Sequence, residues 1–78
     1  MEFEKVKEIV AKVLNLDPEE ITPEKSFMED LEADSLDLAE IIVSIEEEFG
    51  VSVPDETLEK IVTVQDACDF VTQWFATH

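Results

Sequence analysis

Positive charge is scarce in this chain of 78 residues: five lysines (Lys5, Lys7, Lys12, Lys25 and Lys60) and no arginine stand against 21 aspartates and glutamates, for a net charge of −16. From Ser26 to Glu59 nothing positive offsets the acidic side chains. Nucleic acids and anionic membranes are held by lysine and arginine on phosphate, so this balance argues against both as partners, and a basic protein surface is the natural complement. Cysteine is equally sparse. Cys68 alone cannot form an internal disulfide, which fits a reducing, cytoplasmic setting. No apolar run exceeds three residues, as in "IIV" at 41–43, where a membrane span needs about 18. The opening "MEFEKVKEIV" has acids where a secretory leader needs a basic start and an apolar stretch. Gly50 is the only glycine, so no glycine-rich phosphate loop can be built. His78 is the only histidine and terminates the chain, which leaves a serine nucleophile without a base and zinc without a ligand set.

What is present is apolar content, 45 % of residues, too much for a disordered acidic tail. One small domain spanning residues 1–78 is expected, near the size at which a single core only just offsets the entropy of ordering the chain. Self-repulsion should make it sensitive to pH and salt. In "EFEKVKEIVAKVLNL" the residues Phe3, Val6, Ile9, Val10, Val13 and Leu14 recur every three or four positions and predict an amphipathic helix over 2–14. Asp17 before Pro18 and Thr22 before Pro23 are helix-start signals too close to the next breaker to seed a long helix. A long ordered loop follows, pinned by Ile21, Phe27 and Leu31 and ending at Asp34.

Asp34 as N-cap, Asp37 three residues later and Gly50 as the stop predict a second helix over 35–49. "DETLEK" allows one or two turns, and Thr63 with Asp66 opens a last helix whose inner face holds Val64, Ala67, Cys68, Val71 and Trp74 or Phe75. That helix is expected to fray toward His78. A strand at "VSV" is too short to pair. The predicted fold class is all-α: a small bundle of three main helices plus one short helix, with a long loop between the first and second helices.

On the second helix Leu38, Ile41, Ile42, Ile45 and Phe49 share one sector and form the core stripe. Leu36, Ala39 and Val43 form a second, narrower stripe bordered by Glu40 and Glu47, with Asp37, Ser44 and Glu48 further round. This strip either packs under the loop or the third helix, or is a docking surface; its rim of one charge sign beside Ser35 favours docking.

Among groups that could carry chemistry, most acids lie on polar faces, where carboxylates are solvated and unsuited to acid–base catalysis. Asp30, Glu32 and Asp34 imitate the start of a calcium loop, but Ser35 stands where glycine is required and Ile41 where the bidentate glutamate belongs. No metal site is expected, only diffuse charge relief by divalent cations. Cys68 reads as a small buried hydrophobe, and Phe70 with Trp74 as packing. Ser35 by itself would be a helix-start residue. Yet at the first turn its hydroxyl stands where backbone N–H groups point outward, so a phosphodiester attached there by another enzyme is locally stabilised.

"FMEDLEADSLDLAEIIVSIEEEFGVSVPDE" followed by "EKIVTVQDACDFV" resembles the acyl carrier proteins over nearly the whole chain. The resemblance implies a helical bundle that is not an enzyme. It implies that Ser35, within Asp34, Ser35 and Leu36, receives 4′-phosphopantetheine from coenzyme A through a phosphopantetheinyl transferase and holds acyl groups as thioesters. It also implies that basic-surfaced acyl-processing enzymes dock on Asp34, Leu36, Asp37, Glu40, Val43 and Glu47, the strip found above. Glu32 departs from the family, where relatives often have Gly, which bears on local loop geometry and on which partners fit.

The chain starts at Met1 and has a very acidic second helix, which favours a discrete, bacterial, type II fatty-acid-synthesis-like carrier, expected as a cytoplasmic monomer. The rivals are a carrier for polyketide, peptide or aminoacyl transfer, and an acidic interaction module whose serine is never modified. For the cargo, Leu38, Ile42, Ile45, Ile61, Val64, Ala67, Cys68 and Val71 are expected to part and admit a methylene chain.

Overall fold

In the computed structural model, which describes residues 2–77, helix α1 (Glu2–Leu14) is followed by a 3₁₀ turn (Pro18–Glu20), α2 (Ser35–Phe49), the short α3 (Asp55–Leu58) and α4 (Val64–Thr77). The expected fold class and helix spans hold, and the described residues contain no strand; "VSV" is irregular. His78, where fraying was expected, lies outside the described residues.

Each main helix exists because it has one stripe to bury. Val6 and Val10 of α1, Ile41 and Ile45 of α2, and Val64 and Val71 of α4 are all but inaccessible to solvent. Helix α1 packs against both α2 and α4. Of the two candidates on α4, Trp74 is half-buried, while Phe75 stays exposed and meets Phe49 edge-on, ring centres 6.4 Å apart. Phe49 is itself only half-buried at the end of the α2 stripe.

Helices α1 and α2 end alike. Asn15 (φ 57°) and Gly50 (φ 68°) turn left-handed, and the next amide bonds back five residues, Leu16 to Ala11 at 2.9 Å and Val51 to Glu46 at 3.2 Å. A third left-handed residue, Glu32 (φ 57°), lies in the long loop. There the amide of Ala33 bonds to the carbonyl of Phe27 at 2.8 Å, and the reversal at Glu32 lets both of its neighbours, Leu31 and Ala33, point into the core. Ile21, Phe27 and Leu31 anchor the loop as expected, all buried.

The loop is also stitched to the start of α4, which sequence reading did not foresee. The amide of Phe27 donates to the carbonyl of Val62 (2.9 Å), that of Val64 to Lys25 (3.0 Å) and that of Gln65 to Pro23 (2.9 Å), around an isolated bridge between Ser26 and Thr63. By contrast, α3 has only four residues, and its N-cap Pro54 offers no side-chain bond.

Candidate functional site

Ser35 is the first residue of α2, and its position is fixed by the cap that precedes it. Asp34 accepts the amide of Asp37 at 2.8 Å, and Asp37 accepts the amide of Asp34 at 3.4 Å. This reciprocal box satisfies the third turn position and leaves the amides of Ser35 and Leu36 without a partner among the described residues. The Ser35 side chain is exposed and its hydroxyl makes no hydrogen bond within the described chain. A free hydroxyl thus stands at the positive end of a helix of 15 residues.

Beside it opens a cavity of about 400 Å³, walled by Phe27, Met28 and Glu29 of the loop, Ser35, Leu38 and Ala39 of α2, and Leu58, Glu59, Ile61 and Val62 around α3. Its lining is mostly apolar. Met28 and Val62, 50 % and 54 % exposed, stand on its wall as large apolar groups that packing has left in water. Of the eight residues expected to admit a methylene chain, only Leu38 and Ile61 line this cavity; Ile42, Ile45, Val64, Ala67, Cys68 and Val71 are buried in the packed core instead. The difference between the two sets has a physical cause. The open volume lies where helices meet loop, not between the interdigitated helices, and loop residues such as Met28 carry no periodic signal.

On the outer face of α2, Leu36 is 77 % and Val43 51 % exposed, and Ala39, Glu40 and Glu47 are exposed between them. Nothing in the described chain covers this strip. Asp34 is exposed but occupied in capping, and Asp37 is half-buried in the same box, so these two hold the helix start as well as contributing charge. Only two ion pairs occur among the described residues, Lys5 with Glu48 at 3.6 Å and Lys7 with Glu4 at 3.7 Å. Glu40 and Glu47 are therefore left uncompensated. No group of three or more His, Cys, Asp or Glu among the described residues is arranged to hold a metal ion, and no described helix is long and apolar enough to cross a membrane.

One acid is tuned by its surroundings. The Asp66 carboxyl is held below the usual carboxylate value, first by the backbone N–H of Thr63 and then by that of Val62, with partial burial opposing. The two amides lie 3.1 and 3.0 Å from its Oδ2, and Thr63 Oγ1 accepts the Asp66 amide at 3.1 Å. This box starts α4 at the seam that closes the cavity side of the molecule.

A helical bundle with a free serine at a helix start is the form of a carrier domain, and the model of the family described as "Phosphopantetheine attachment site" matches residues 4–71. Proteins of that class are carriers, not enzymes, and bear covalently attached 4′-phosphopantetheine. An acyl carrier protein of Thermosynechococcus vestitus is 62 % identical over 69 residues, which cover 88 % of this chain and 85 % of that protein. One from Rubrobacter xylanophilus is 56 % identical over 71 residues, covering 91 % and 88 %. The solved structure of the acyl carrier protein from Enterococcus faecalis superposes with a TM-score of 0.79 at 32 % identity, covering 94 % of this chain and 92 % of that one. The chain belongs to the acyl carrier protein family. Membership implies dealings with a phosphopantetheinyl transferase and with acyl-processing enzymes in general.

Proposed function

We propose that Ser35 is the attachment residue and that residues 1–78 act as one monomeric, cytoplasmic carrier domain delivering acyl intermediates to enzymes of fatty acid biosynthesis. The observation that carries the reading is the exposed, unbonded Ser35 hydroxyl at the α2 start with an apolar cavity alongside. When attached, the prosthetic arm supplies a thiol that holds the acyl group as a thioester. The chain's own contribution is placement. The unpartnered amides of Ser35 and Leu36 favour the negative charge of a phosphodiester on the Ser35 oxygen. Leu38, Ile61 and Leu58 offer apolar surface within reach of the same point. That surface favours fatty acyl cargo over aminoacyl cargo, which gains nothing from apolar burial.

Basic partners are read to dock on Asp34, Leu36, Asp37, Glu40, Val43 and Glu47. The uncompensated Glu40 and Glu47 steer encounter, and the exposed Leu36 and Val43 give the complex its lifetime. The test is intact mass after incubation with coenzyme A and a phosphopantetheinyl transferase. One arm is added to the wild-type chain and none to Ser35→Ala, while Ser26, Ser44 and Ser52 remain unmodified. A wild-type chain left unmodified under conditions that convert a control carrier refutes the reading.

A further inference from the structure

Two half-buried side chains of α1, Ile9 and Val13, form the apolar floor of a groove of about 680 Å³ between α1 and α2. Its rim is acidic, with exposed Glu8 from α1 and exposed Glu40, Glu47 and Glu48 from α2. Lys12 is the only cation lining it, and it forms no ion pair among the described residues; of the four acids only Glu48 is paired, with Lys5 outside the groove. Glu40 and Glu47 also border the strip that carries Leu36 and Val43. The groove is therefore the lateral continuation of that strip.

Size makes this continuity matter. A specific interface covers about 800 Å² per partner, about one-sixth of the 5010 Å² surface of this chain. Helix α2 is about 22 Å long and carries one narrow apolar strip, so a partner seated there must spread sideways. Toward α1 it meets this groove, beginning at Glu40, about 8 Å along the helix from Ser35. An arginine or lysine fits what it finds there: the aliphatic stem covers Ile9 and Val13 while the charged head reaches the carboxylates.

Resting on the reading that basic enzymes dock on α2, we propose that the groove receives a cationic side chain of the phosphopantetheinyl transferase as it acts on Ser35, and that Lys12 opposes this contact. Lys12 then weakens binding by like charge, a repulsive element that selects among partners.

The experiment measures KM and kcat for the unmodified chain with a phosphopantetheinyl transferase and coenzyme A. Glu8→Lys should raise KM about fivefold with kcat unchanged, and Lys12→Glu should lower it about threefold, both effects fading toward about 0.5 M salt. Glu19→Lys, the same charge change on the 3₁₀ turn, should shift KM less than about twofold, separating a local contact from the field of the whole protein. All three sites are exposed, so the variants fold. If Leu36→Ala and Val43→Ala raise KM while Glu8→Lys and Lys12→Glu do not, docking on α2 stands and the groove contact is overturned. If none of the four moves KM, the docking reading falls and the proposal with it. Sedimentation showing a dimer that Glu8→Lys dissociates gives the groove to a second copy and likewise overturns the proposal.

Discussion

The side of the bundle where α1 lies against α2 and α4 and the side walled by the 15–34 loop and α3 are held by different means. On the first, Val6, Val10, Ile41, Ile45 and Val71 interdigitate with almost no solvent access. On the second, backbone bonds between 23–27 and 62–65 and the Thr63–Asp66 box do the joining, while Met28 and Val62 stay half in water beside an open cavity. Close packing resists a guest, because every displaced methyl leaves a void. A hydrogen-bonded seam can hold two segments together while the side chains beside it give way. On the proposed reading, the close-packed side supplies stability and the open side next to Ser35 is where cargo would be taken up.

The contrast is broken most directly by cutting side chains on each side. Ile45→Ala, on the packed side, should cost about 3 kcal/mol, a large share of what a chain this small possesses. Leu58→Ala, half-buried on α3, should cost about 1 kcal/mol or less, because it already faces open volume. Urea unfolding of both variants decides it, and equal losses would erase the distinction.

Loading the arm probes the loop side directly. If about three methylenes of an octanoyl group enter the cavity, the loaded chain should gain about 2 kcal/mol, at roughly 0.8 kcal/mol per buried CH₂. A glycyl load should give no gain. NMR shifts should appear at Leu38, Ile61 and Val62 and leave Val10 and Ile45 in place. Shifts limited to the residues next to Ser35 for both loads would favour an aminoacyl or peptide carrier over fatty acid synthesis.

Legibility in the sequence follows the same division. The packed side was readable because each of its helices buries a stripe at helical spacing, and the caps Asp34, Thr63 and Gly50 are local signals that mark where helices start and stop. The exposed Leu36–Val43 strip was readable for the same reason, as apolar residues left over once the core sector of α2 is filled. The cavity was not, apart from Leu38 and Ile61. Its walls come from Met28 and Glu29 on one segment and Leu58, Glu59 and Val62 on another about thirty positions away, and no local period links them. The Ser26–Thr63 seam is made of backbone groups that every residue carries, so its side chains give no sign of it.

Glu32 tests how tightly the loop side is constrained. Its left-handed backbone is the same as that of Asn15 and Gly50, but glutamate has neither the freedom of glycine nor the short polar side chain of asparagine. Glu32→Gly should therefore stabilise the chain by about 0.5–1 kcal/mol, the relief of strain exceeding the added flexibility of the unfolded chain. Removing one of 21 acids helps in the same direction. Glu32→Gln separates the two contributions, since it removes the charge and keeps the strain. Thermal unfolding in which Gln does as much as Gly would show that the backbone here costs nothing.

The smallest effect concerns acid. Protonating carboxylates relieves the self-repulsion of a chain with net charge −16, so mild acidification from neutral pH should first raise the melting temperature, as should millimolar magnesium at low salt. Asp66 acts in the opposite sense. Its folded value is depressed, chiefly by the Thr63 amide and then the Val62 amide, so the stability it contributes is complete above the unfolded value near pH 4 and is lost as pH falls through the lower, folded value. The side chain is half-buried and its partial burial opposes the two amides, which keeps the contribution small. The melting temperature should therefore pass through a maximum and fall below about pH 4. Asp66→Asn should melt slightly lower than wild type at pH 7 and show a shallower acid limb, since the neutral amide has no charge to lose. An Asp66→Asn limb as steep as that of wild type would mean that the loop side is fastened by its backbone bonds alone, and that the charge on this cap contributes nothing to keeping the cavity wall in place.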